Sequence, residues 1–150
     1  MIRNAPLPEN IEELLPEAYE YLRGDEDVIF AYLFGSLATK RAEILSDVDI
    51  AVYCREGLAF PEKKLEILGN LMNALKTDEI DLVMLNRAPL TLRMKILENR
   101  KVIVDKAPLV RHRYESLTMR QYFDFSYKES SILRKRFFHG RQATYPQKTG

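Results

Sequence analysis

The sequence predicts an α/β (α+β) chain: a sheet of about four strands flanked by helices. Three observations predict it. Short apolar runs at Val28–Phe34, Val48–Tyr53 and Ile80–Leu85 read as strands, amphipathic stretches alternate with them, and no linker or repeat divides the chain.

Residues 9–23 carry Ile11, Leu14, Leu15, Ala18 and Leu22 at helical spacing and stop at Gly24, which suits a C-terminal cap. Pro16 interrupts the pattern. Either a first turn ends at Leu15, or the main helix starts with Pro16 in its first turn, where a missing amide donor costs little. Val28–Phe34 is apolar throughout and reads as a strand buried on both faces. A second strand covers Val48–Tyr53. Residues 61–76 place Leu65, Leu68, Met72 and Leu75 on one stripe, with proline first and lysine last, and predict a helix returning across the sheet. Ile80–Leu85 is a third strand, residues 89–97 a short helix and Lys101–Val104 a last strand. Between Pro108 and Gly140 lie 31 residues with neither Gly nor Pro, which predict one or two helices.

A length of 150 residues suits one domain, burying roughly 68–70% of the surface its unfolded chain exposes. The expectation is a single domain over 1–140, helical from about 108, with 141–150 a flexible tail. Cys54 is the sole cysteine, so no internal disulfide forms; with two histidines beside it, a zinc site is not expected. No secretory signal follows Met1, and no run approaches the ~20 apolar residues of a membrane span. A cytoplasmic protein is expected. Residues 1–107 hold 14 Lys+Arg against 19 Asp+Glu, whereas residues 108–150 hold 9 against 3, a basic end on an acidic body. That end is either a solvated helix face with a tail, or a docking surface for a partner or a polyanion.

Side chains alternate along a strand, so Asp47 and Asp49 project from one face while Val48, Ile50 and Val52 fill the other. Two carboxylates about 4 Å apart repel by on the order of 4 kcal/mol at an effective dielectric near 20, which a divalent cation offsets. Magnesium suits an all-oxygen set near phosphates. Gly35 and Ser36 offer the phosphate cradle at a strand-to-helix turn. Asp81 interrupts an apolar run, where it is either a solvated edge residue or, with its strand beside the second, the third member of a carboxylate cluster. Such a cluster can hold two metals for an in-line phosphoryl displacement.

Gly35-Ser36, ten intervening residues, Asp47-x-Asp49 and then Asp81 resemble the signature of minimal nucleotidyltransferases of the DNA polymerase beta superfamily. Within that group the chain is similar to the MntA-type antitoxins of HEPN/MNT toxin–antitoxin systems, through Ile80–Leu90, Leu92–Leu97, Lys101–Val104 and Arg120–Phe125. The resemblance covers roughly residues 7–130. It implies a polymerase-beta-like nucleotidyltransferase fold with a mixed sheet, two Mg2+ per site, ATP as co-substrate, and transfer of AMP to a tyrosine of a cognate HEPN ribonuclease toxin with which the chain forms a hetero-oligomer. It assigns Asp47, Asp49 and Asp81 to metal binding, Asp81 also to activation of the incoming hydroxyl, and Gly35 and Ser36 to the phosphates. Relatives often continue Gly-Ser-x-Ala-Arg-Gly; here Thr39-Lys40 follows Ala38, so Lys40 or Arg41 supplies the positive charge or else is a solvated loop residue.

Two alternatives stand beside this reading: an antitoxin that masks its toxin by binding alone, and a nucleotidyltransferase acting on a small molecule such as an antibiotic. Direct nucleic-acid binding is not expected. The aromatic segment Tyr114–Phe138 is the expected docking region, with Tyr114, Leu117, Tyr122 and Phe125 toward the sheet and Phe123, Tyr127, Arg134 and Arg136 outward. His112, His139 and Cys54 are read as packing or solvent-facing residues.

Overall fold

The computed structural model describes residues 8–35, 37–38 and 47–140, the side chains of 133 and 135–140 excepted. Helix α1 (Ile11–Gly24) leads into β1 (Val28–Phe34) and β2 (Val48–Cys54), α2 (Phe60–Leu75) crosses to β3 (Ile80–Met84), and α3 (Leu90–Glu98), β4 (Lys101–Asp105) and α4 (Pro108–Gly140) complete the order. The sheet runs β3-β2-β1-β4. It is mixed: β1 pairs antiparallel with β2 and β4, and β2 pairs parallel with β3. A parallel neighbour needs a long crossover, and α2 supplies it.

Both faces of the sheet are covered, which is why β1 is apolar without alternation. Val28, Ala31 and Leu33 join one cluster with α1 and α2, whereas Phe30 and Tyr32 join another with α3 and α4. Val28 shares a face with Ala31, an odd separation, because the register with β2 shifts between Val28 and Phe30. That bulge inserts one residue and turns Val28 over.

Several sequence expectations are corrected. Pro16 neither ends a turn nor opens a helix: α1 runs unbroken through it. The buried stripe Ile11, Leu15, Ala18 and Leu22 spans the proline and holds the helix on both sides of the lost hydrogen bond. Gly24 is not a left-handed cap; the helix ends on Asp25 in extended conformation, its amide donating to the Leu22 carbonyl. Of the stripe foreseen on α2, Leu75 is buried and Leu68 and Met72 pack against the core, but Leu65 is 69% exposed, and Lys63, Ile67 and Leu71 are buried as well. The charged one of these is held by a long-range interaction. Lys63 Nζ lies 2.9 Å from Asp25 and 2.8 Å from Asp27, so a lysine enters the protein with its counter-charges.

Residues 108–140 form one helix of 33 residues, roughly 50 Å long at 1.5 Å per residue. Its first turns are held by a polar node. Buried Glu115 accepts hydrogen bonds from Tyr32 Oη at 2.6 Å, Arg100 at 2.9 and 3.1 Å, and Arg111 at 3.2 Å. Tyr114 packs edge-on against Phe30 and Tyr53 and donates to the Leu85 carbonyl. Leu117 and Phe125, expected to pack inward, are 43% and 44% exposed; Glu115 and Thr118 occupy the buried positions instead. Phe123 and Tyr127 are outward as expected. Arg136, His139 and the tail 141–150 lie outside the described side chains.

Burial would push the Glu115 carboxyl up, yet the Tyr32 hydroxyl and the two guanidiniums outweigh it and hold the group below its ordinary value of 4.5. The folded value is thus depressed, so the stabilisation is present above that ordinary value and is lost as pH falls through the lower folded one. Replacing Glu115 with Gln is expected to cost about 3 kcal/mol near neutral pH, because two cations lose their buried partner. Urea denaturation should show this gap between wild type and variant narrowing in acid.

Candidate active site

Gly35 closes β1 in the left-handed region, at φ 78°. Its backbone lies directly against β2: a Cβ placed there would fall 2.1 Å from Asp49 Oδ2, closer than any real contact allows. Glycine is therefore required twice over, for its dihedral and for its missing side chain. Phe34, the residue before it, pairs with Asp49, and Asp49 in turn pairs with Asp81 in the parallel ladder. Gly35, Asp49 and Asp81 thus follow one another across three neighbouring strand ends.

The alternation of β2 accounts for which way the acids face. Val48, Ile50 and Val52 are fully buried in the α1/α2 core, leaving Asp49, half-buried, on the opposite face with Ala51 and Tyr53. Asp47 immediately precedes the strand and is also half-buried. Asp81 is exposed on a strand that is an edge of the sheet among the described residues, so its charge meets water rather than the apolar interior suggested by Ile80 and Leu82. Ser36 and Lys40, together with Thr39 and Arg41, lie outside the described residues. Cys54 is buried, and burial pushes its thiol up to about 11, which removes it as a nucleophile near neutral pH.

Among the described residues, no three His, Cys, Asp or Glu side chains are gathered tightly enough to hold a metal ion. Magnesium does not require such a cage, since it keeps several waters and is held through one or two carboxylates with substrate phosphates. The oxygen-only donors Asp47, Asp49 and Asp81 are of the type that ion takes.

A groove of about 810 Å³ runs beside Asp81. Phe60 and Lys64 of α2, Val83 and Met84 of β3, and Arg87, Ala88 and Leu92 line it. The Arg87 guanidinium sits 4.4 Å from the Phe60 ring centroid. Asn86 anchors the 3-10 turn Leu85–Arg87 by exchanging hydrogen bonds with both backbone groups of Cys54, at 2.9 and 2.7 Å. Sequence reasoning missed this groove. Its residues come from separate elements, and only the placement of β3 at the sheet edge gathers them.

The family described as polymerase beta, nucleotidyltransferase matches residues 17–108, which include all four strands. The chain belongs to that family. No curated protein matches it. Among solved structures it is similar to a toxin–antitoxin with AMP-PNP at 21% identity, over 84% of this chain and 98% of that one, with a TM-score of 0.65. It is also similar to a mutant toxin–antitoxin MntA–HpeT at 25% identity, over 87% and 98%, TM-score 0.62. A third likeness, to a tri-AMPylated Shewanella oneidensis HEPN toxin in complex with MNT antitoxin, has 22% identity over 85% and 93%, TM-score 0.57. The shared fold extends past the family match into α4. Among the described residues, no helix is long and apolar enough to cross a membrane.

Replacing Gly35 with Ala is expected to lower stability by about 1–2 kcal/mol through the left-handed dihedral alone, with a further loss from the clash on Asp49. In an Asp49→Ala background the same substitution should cost less, since the clashing carboxylate is gone. A double-mutant cycle on urea midpoints measures the difference; equal costs in the two backgrounds would contradict the contact.

Proposed function

We propose that this chain is an antitoxin that transfers AMP from ATP to a tyrosine hydroxyl of a HEPN ribonuclease toxin, neutralising it within a cytoplasmic complex. The observation that carries the reading is the row Gly35, Asp49, Asp81 across three adjacent strand ends. The likeness to solved structures described with AMP-PNP and with a tri-AMPylated HEPN toxin supports it. We place the catalytic domain at residues 1–140, with 141–150 as a tail.

In this proposal the Gly35-Ser36 backbone approaches the triphosphate, with Lys40 as a further charge toward it. Asp47, Asp49 and Asp81 hold Mg2+, two ions per site, which supply positive charge to the phosphates when bound. The tyrosine oxygen forms a bond to the α-phosphorus while the bond to the bridging oxygen breaks. Pyrophosphate departs with that electron pair. The phenolic proton passes to the Asp81 carboxylate, whose exposure lets it hand the proton on to water.

A second reading, neutralisation by binding alone, draws on the exposed Phe123, Phe125 and Tyr127 of α4, a surface that needs no chemistry to cover a partner. Asp47→Asn with Asp49→Asn separates the two. Transfer of label from ATP to the toxin should fall at least about a hundredfold, because each acid contributes transition-state charge stabilisation of several kcal/mol. Relief of toxicity in cells should fall with it; neutralisation that survives unchanged would favour masking.

A further inference from the structure

We infer that the groove along β3 seats the acceptor: an extended, acidic segment of the AMP-accepting protein, with its tyrosine directed at Asp81. The inference rests on the AMP-transfer reading and adds where, and in what form, the protein substrate binds.

The order of the strands carries the argument. Neighbouring strands lie about 4.8 Å apart, so Gly35 on the β1 side and Asp81 on the β3 side flank Asp49 in opposite directions. An in-line displacement places the attacking and leaving oxygens on opposite sides of the phosphorus. With the departing phosphates toward Gly35, the hydroxyl enters from β3. The groove begins there, since Asp81 is part of its lining.

The shape of the groove selects the form of the segment. Among the described residues β3 is paired only with β2, so its other edge presents backbone donors and acceptors to an incoming strand. Half-buried Leu58, Val83 and Leu92 offer apolar contact to such a strand, with the buried Phe60 and Met84 behind them, and a space of about 810 Å³ exceeds what a lone phenol needs. Exposed Lys64 and Arg87, the latter 3.9 Å from Glu56, place positive charge on the lining away from Asp81, which favours acidic residues on the part of the segment that passes them. A nucleotide in this groove would have to reach across Asp49 from the phosphate cradle.

Charge reversal of both cations, Lys64→Glu with Arg87→Glu, tests the assignment. In AMP transfer to the HEPN protein, KM for the protein should rise by about tenfold or more while KM for ATP stays within about twofold. A rise in KM for ATP instead would assign the groove to the nucleotide, and no change in either constant would remove it from the reaction; both overturn the proposal. Fluorescence anisotropy adds a readout that needs no turnover, with a labelled peptide of alternating glutamate and valine around one tyrosine. It should bind the wild-type chain, bind the reversed variant more weakly, and lose affinity when its alternate backbone amides are N-methylated. A peptide indifferent to N-methylation would overturn strand addition. Should the wild-type chain transfer no AMP, the function reading falls, and the peptide alone decides the groove: binding abolished by reversal upholds a peptide site, and binding that ignores reversal overturns it.

Discussion

The register between β2 and β3 is the constraint on which the rest of the site depends. Because side chains alternate with a period of two, a slip of one residue would turn Asp81 into the α1/α2 core and bring Ile80 or Leu82 to the outer face. The apolar residues prevent this. Ile80, Leu82 and Met84 are buried beside Val48, Ile50 and Val52, so any shift exposes them and buries an acid at once. Packing that looks merely structural therefore fixes which strand position carries the third carboxylate. The α2 crossover adds direction, for only a parallel β3 starts at the same end of the sheet as the start of β2.

The strands were legible because each is a run too apolar for solvent and too short for a buried helix, and Asp49 was legible because alternation alone assigns its face. The same reading misjudged residues whose environment is supplied from far along the chain. Lys63 looks like a solvent residue until Asp25 and Asp27 arrive beside it from the α1–β1 turn. Glu115 behaves likewise, with Tyr32, Arg100 and Arg111 converging on it. A hydrophobic pattern cannot register a buried charge whose partners are non-local. Pro16 was misread for a related reason: a proline signals a helix boundary locally, but packing on both sides of it decides whether the boundary occurs.

The candidate site divides along the same line. Gly35, Asp47 and Asp49 follow from spacing, because glycine at a turn and acids at a strand start have few other joint explanations. That Asp81 lies next to Asp49 requires the strand order, and the groove beyond it requires the edge position of β3; neither is written in any local stretch. The polar node under α4 separates two mechanical regimes in one helix. Up to about Thr118 the helix is clamped to the sheet through Glu115 and Tyr114, whereas beyond it Phe123, Phe125 and Tyr127 are exposed.

An exposed strand edge is also an invitation to other copies of the same chain, since unpaired amides and carbonyls match any extended backbone. The edge of β3 is only five residues long and carries Asp81 near its start. Two such edges meeting side by side would bring carboxylates of like charge together. The charge that AMP transfer is proposed to use therefore has a second consequence: it opposes the pairing of two β3 edges, whereas a foreign segment can set its acids beside Lys64 and Arg87 and leave the position opposite Asp81 uncharged.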